Sequence, residues 1–125
     1  MNATTMAKTA YSAPGQPTRT ARGIEYEIFA RITHRLKAAA SLGDAGFNAL
    51  AQALHENRRL WTTLAADVAD PGNQLPAPLR ARIFYLAEFT DKHTRKVLAG
   101  DSGPDVLVEI NTAIMRGLRQ DGRAA

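Results

Sequence analysis

The chain has 125 residues, which suits one domain, and at 45% apolar it can build a real core. Cysteine is absent, which excludes disulfides, thiolate zinc sites and a cysteine nucleophile and suits a reducing cytoplasm. The net charge of +4 is uneven: Lys8, Arg19 and Arg22 precede the first acid, Glu25, so the first 22 residues carry +3 and the rest +1. That near-neutral body argues against nucleic-acid binding, which needs a concentrated cationic footprint.

Residues 1–20 are rich in Thr, Ala, Ser, Pro and Gly and show no apolar period. Such a segment buries too little surface to offset its ordering entropy, so a flexible tail is expected, with Tyr11 as its one anchor. It also lacks the apolar core of a signal peptide. No apolar run in the chain approaches the ~20 residues that cross a bilayer. The expectation is a soluble, cytoplasmic protein with no membrane insertion.

Residues 21–119 read as an all-α bundle of about four antiparallel helices, and residues 120–125 as a frayed end. Helix one is expected over about 21–41, with Ile24, Ile28, Ile32 and Leu36 on its apolar line, Phe29, Ala39 and Ala40 widening it, and Gly43 ending it. Helix two runs from an Asp44 cap to about Ala69. Its stripe is Phe47, Leu50, Leu54, Trp61, Leu64, Ala65 and Val68. Pro71-Gly72 suits the centre of a type II turn, because proline pre-sets φ and glycine accepts φ > 0.

Helix three starts near Pro76, where a missing N–H costs nothing. Leu79, Ile83, Leu86, Thr90 and Val97 line its buried side, with Phe89 at the flank and His93 near mid-stripe. Gly100 suits a left-handed stop. Helix four opens at Ser102-Gly103-Pro104-Asp105, with Ser102 as cap, and buries Leu107, Ile110, Ile114 and Leu118. Short connections make neighbouring helices antiparallel.

Catalytic and metal chemistry finds little footing. His34, His55 and His93 are scattered, and His55-Glu56 is followed by Arg59 where a zinc-protease motif needs a second histidine. Gly100-Asp101-Ser102-Gly103 lacks the lysine and the preceding strand of a phosphate loop. The serines have no nucleophile context. The chain reads as a non-enzyme that needs no cofactor.

The distinctive residues are polar ones in apolar places. At ~100° per residue Asn57 falls within about 40° of Trp61 and should face the core. A buried amide without partners costs about 1–3 kcal/mol, so Asn57 needs a partner, and Asn111 at the edge of helix four's stripe is a candidate. Asn57, Asp67, Asn73 and Asn111 are read as a structural polar network that sets helix register. The other reading is a polar notch for a partner. Arg58 lies on one edge of the stripe and Arg59 points almost opposite it. Arg58 fits a clamp on a loop or helix end as well as a partner contact. Trp61 fits the core or an interface anchor. Phe84 projects about 160° from Leu86, among Glu88, Asp91 and Arg95, and suits a partner contact. Arg58, Arg59, Trp61, Phe84 and Tyr11 are therefore the candidate partner-binding residues.

Together these residues resemble the FlaF family of flagellar biosynthesis regulators from alphaproteobacteria. Asn57-Arg58-Arg59-Leu60-Trp61 is similar to its central motif. Asp67, Pro71-Gly72-Asn73-Gln74-Leu75-Pro76 and Leu79-Arg80 are similar to the family's next stretch, on the C-terminal side of that motif. Ile110-Asn111 with Ile114-Met115-Arg116-Gly117-Leu118 resembles its C-terminal segment, and Tyr11 a tyrosine near its start. Thr112 and Ala113 replace a more polar pair, and Phe84 is bulkier than the pattern. The resemblance implies a protein that promotes flagellin production in opposition to FlbT, a repressor acting on flagellin message. It also implies binding of flagellin for export, as a secretion chaperone. The alternatives it leaves are action on FlbT or directly on the message.

Overall fold

A computed structural model describes the backbone of residues 16–124 and the side chains of residues 26–117. The expected tail up to residue 15, with Tyr11, and the side chains of Ile24 and Leu118 lie outside the described residues. Within them the fold is all-α. It comprises α1 (Gln16–Ala40), α2 (Phe47–Ala69), α3 (Ala77–Leu98) and α4 (Asp105–Ala124), with a single 3₁₀ turn at Gly43–Gly46. Helix α1 starts before residue 21, because Pro17 is tolerated in a first turn. Helix α4 runs beyond residue 119, where the chain was expected to fray.

The helix stops are local chemistry. Gly43 and Gly100 hold φ of 61° and 83°, which side chains disfavour. At the end of α3 the Asp101 N–H donates to the Lys96 carbonyl (2.9 Å) and the Gly100 N–H to that of Val97 (3.0 Å). These are the paired bonds of a Schellman stop, and they satisfy carbonyls the helix leaves open.

Four local expectations are corrected. Asp44 does not cap α2: it sits inside the 3₁₀ turn, and Gly46 takes the cap position without a side-chain bond. Gly46 is where α2 crosses the end of α1, since a Cβ there would lie 2.6 Å from both the Ala39 oxygen and the Leu42 Cβ. The turn after α2 is not type II, because Gly72 is not among the positive-φ glycines. Asp70 forms it instead: its carbonyl accepts from Asn73 N–H and its carboxylate from Gly72 N–H, both at 2.9 Å. This is an Asx turn, which needs no positive φ. Helix α4 begins with the Pro104 carbonyl accepting from Leu107 and Val108, so Ser102 lies ahead of the cap position. Phe47 also leaves the expected stripe. It is 51% exposed, because the first residue of α2 overhangs the last core layer.

Helix α1 packs against α2 and α4, and α2 packs against α3 as well. The fourth neighbouring pair differs. Helices α3 and α4 approach each other closely over only a short stretch among the described residues.

The core has two apolar clusters. The one nearer the 43–46 turn holds Ile32, Leu36, Ala53, Leu54, Val97 and Leu107. The other holds Phe29, Trp61, Leu64 and Ala87, with Phe29 and Trp61 edge to face at 5.7 Å. Between them along their helices lie buried polar side chains, Asn57 from α2, Thr90 and Thr94 from α3 and Asn111 from α4, while Thr33 of α1 is buried beside Ile32. The core is thus apolar, polar, apolar along the bundle axis.

Candidate functional site

The polar belt joins helices that do not touch as backbones. Helices α2 and α4 lie diagonally across the bundle, yet Asn111 bridges them. Its Nδ2 donates to Asn57 Oδ1 at 2.8 Å, and its Oδ1 accepts from Trp61 Nε1 at 3.0 Å. All three side chains are essentially inaccessible. Thr94 donates to the Thr90 carbonyl at 2.7 Å. Thr33 Oγ1, Asn57 Nδ2 and Thr90 Oγ1 are buried without a protein partner. Asp67 and Asn73 are not part of this belt. Asp67 is ten residues along α2 from Asn57, about 15 Å of helix rise away. Asn73 shapes the turn, its Oδ1 accepting from Leu75 N–H at 3.0 Å.

Trp61 is 1% exposed, so its indole is a core group rather than a surface one. Arg58 does not reach a loop. It clamps α2 to α3 through Asp91, with Nε to Oδ1 at 3.0 Å and a terminal nitrogen at 2.8 Å. Arg95 holds the other oxygen of Asp91 at 2.7 Å. The loop clamp is Arg80, whose Nε donates to the Leu75 carbonyl at 3.0 Å. Arg59 is exposed on the outer face of α2. Arg35, on α1, pairs with Glu56 of α2 at 2.6 Å.

A cavity of about 270 Å³ opens between α2 and α3. Trp61, Ala65, Ala87 and Thr90 line it beneath the Arg58–Asp91–Arg95 triad, with Phe84 as one wall. Small residues at facing positions leave the dent, and Phe84, 42% exposed, borders it instead of filling it. Tyr85, beside it, is 64% exposed. Sequence reading placed Phe84 on this outer face but missed the cavity, which depends on two alanines from different helices.

The opposite flank of α3 borders the α3–α4 seam. Arg58, Thr62 and Ala65 mark the side of α2 that meets α3, which sets the order of the helices around the bundle. At about 100° per residue, the flank of α3 away from α2 carries Leu86, Phe89 and His93. The flank of α4 turned toward it carries Ile110, Ala113, Ile114 and Gly117 by the same spacing. Leu86, Phe89, Ile110 and Ile114 are only half-buried, while Ala113 and Gly117 are exposed. The two helices are pinned near their shared turn, where His93 Nε2 lies 2.9 Å from the Gly103 carbonyl and the Phe89 and His93 rings stack at 5.7 Å. His93 is therefore a bonded residue at the bundle end. Below that point the two backbones stay further apart, while Leu86, Ile110 and Ile114 pack against the Phe29–Trp61 cluster; sequence periodicity carried no signal for this.

Among the described residues no helix is long and apolar enough to cross a membrane. No curated protein and no solved structure matches the chain. The family model described as flagellar protein FlaF matches residues 7–118, which takes in the central Asn57–Trp61 segment, the Asp70 turn, both clusters and the polar belt. The chain belongs to the FlaF family of flagellar proteins.

Proposed function

We propose that this FlaF-family chain is a non-enzymatic, cytoplasmic binder of flagellin that escorts it toward export and thereby couples export to flagellin synthesis. The observation that carries the reading is the α3–α4 seam. It leaves half-buried apolar side chains along two roughly antiparallel helices, which is the surface an amphipathic helix covers in helix-in-groove binding. Unassembled flagellin, with its amphipathic terminal helices, is a ligand of that kind.

Direct action on flagellin message is the weaker alternative. Arg35, Arg58 and Arg95 are each engaged by carboxylates, which reduces the free cationic surface that a phosphate backbone needs. Purified protein mixed with flagellin at micromolar concentrations should form a stoichiometric complex without nucleotide, seen by size exclusion and calorimetry. Absence of a complex between the two folded proteins refutes the reading. A pull-down offering flagellin, the FlbT repressor and message together should enrich flagellin; enrichment of the repressor or the message alone would redirect it.

A further inference from the structure

We propose that the outer face of α3, beside the α2–α3 cavity, is the surface on which two copies of this chain pair antiparallel, about a two-fold axis between Asp91 and Lys92. The inference goes beyond the reading above, since it uses neither the α3–α4 seam nor flagellin.

Phe84, Glu88, Asp91, Arg95 and Leu98 follow one another at steps of four, three, four and three residues. At ~100° per residue that spacing holds all five within about 80° of one another, on one strip of the helix. Phe84, Glu88, Arg95 and Leu98 are exposed, and Asp91 is half-buried under its two arginines. Neither α2 nor α4 therefore covers the strip. Alternating steps of three and four are those by which one helix packs along another.

The order of the residues says what covers it. Phe84 and Leu98 lie at the two ends, and Glu88 and Arg95 lie equally far inside them. Asp91 and Lys92 sit at the midpoint, where their opposite signs leave it neutral. Such a strip is complementary to its own reverse. In an antiparallel copy each Glu88 faces the copy's Arg95, and each Phe84 faces the copy's Leu98. A parallel copy would set like charges against each other, so charge selects the antiparallel pairing. A patch that pairs with itself in this way is the isologous contact of a two-fold dimer.

The groups are free to do it. Glu88 makes no ion pair or hydrogen bond among the described residues. Arg95 uses one nitrogen on Asp91, at 2.7 Å, and keeps its other N–H donors. Leu98 falls about 40° from Phe84, toward α2, so it faces the mouth of the copy's cavity beside Phe84. Phe47, exposed at the start of α2, and Tyr85 widen the apolar ends. From Phe84 to Leu98 the strip is about 21 Å long. Two helices wide, the face covers roughly 400 Å² on each copy, about half of a standard interface. The dimer is accordingly a weak one, with a dissociation constant in the micromolar range.

Sedimentation of the full chain without any ligand, from micromolar to submillimolar concentration, should show a reversible monomer–dimer equilibrium. Glu88→Arg and Arg95→Glu should each weaken it at least roughly tenfold, because each sets like charges opposite one another at two places. An equimolar mixture of those two variants should associate as the wild type does, and the chain carrying both changes should pair with itself again. Leu98→Lys should also weaken the dimer, while Arg82→Glu, about 160° round α3 from Phe84, should leave it within about twofold. Trp61 emission and thermal melts confirm that each variant is folded, as substitutions at exposed positions generally are. A wild-type chain that stays monomeric throughout overturns the proposal. So does a dimer indifferent to Glu88→Arg, or a mixture of the two folded variants that fails to associate. Association of the mixture without recovery in the chain carrying both changes overturns it as well, since that pattern belongs to a parallel pairing.

Discussion

Replacing Asn111 by leucine probes the belt most directly. The side chain is fully buried, accepts from Trp61 Nε1 at 3.0 Å and donates to Asn57 Oδ1 at 2.8 Å. Leucine has the same branched shape and heavy-atom count but larger methyl groups, so packing is only roughly conserved. Two buried groups lose their partner at once, at about 1–3 kcal/mol each. The added apolar burial offsets about 1–2 kcal/mol of that. The net loss is then about 0–5 kcal/mol, centred near 2–3, or a fall in melting temperature of up to roughly 20 °C for a chain of this size. Trp61 is the only tryptophan and is inaccessible, so its emission reports unfolding in urea without any label. Adding Asn57→Leu to that variant removes one of the two orphaned partners. The double variant should recover stability relative to Asn111→Leu, with a coupling energy of about 1–2 kcal/mol in the cycle. Two results refute the reasoning: a rise in stability on Asn111→Leu alone, or additivity of the two changes within about 0.5 kcal/mol.

Gly46→Ala should destabilise by about 1–3 kcal/mol, because the new Cβ meets the Ala39 carbonyl and Leu42 Cβ at 2.6 Å and the backbone must move. Thermal melts showing no change would mean that the α1–α2 crossing is looser than described. Gly72→Ala should be neutral or stabilise by up to about 1 kcal/mol, since Gly72 has no positive φ and its nearest contact is Asp70 Oδ1 at 3.5 Å. A loss instead would restore the type II turn expected from the sequence. Arg58→Ala should cost only about 0.5–1 kcal/mol, because both partners are well exposed and Arg95 still holds Asp91. That cost should shrink in high salt; a loss of several kcal/mol at any salt would show that Arg58 carries core packing.

Much of the fold was legible because it rests on local spacing. The apolar positions of α2, from Leu54 to Val68, repeat on one face, and periodicity finds such a face whatever packs on it. The stops at Gly43 and Gly100 were legible because positive φ is a property of the backbone at one residue. The failures were local too. Pro71-Gly72 carries the composition of a type II turn, but the carboxylate of Asp70 offered a competing closure. Asp44 has the chemistry of a cap, yet with the close crossing at Gly46 the cap position falls two residues on.

The candidate site was only half legible. The angle between Asn57 and Trp61 pointed Asn57 inward, and Asn111 was a nameable partner because few polar residues fall on apolar stripes. What Arg58 holds was not legible: Asp91 is 33 residues away and on the flank of a different helix. Nor could any stripe show that α3 and α4 approach closely over only a short stretch among the described residues.

The sequence by itself determined that there are four helices, where α1 and α3 stop, which face of each is apolar, and that the chain resembles the FlaF family. Those properties depend on residues within a few positions of one another. The tertiary structure alone decided that Asn111 bridges Asn57 and Trp61 across the diagonal, that Arg58 clamps α3, and that α3 and α4 are the neighbouring helices that approach least. Each of those depends on how whole helices are placed, and that placement is set by the sum of many packing contacts that no local pattern records.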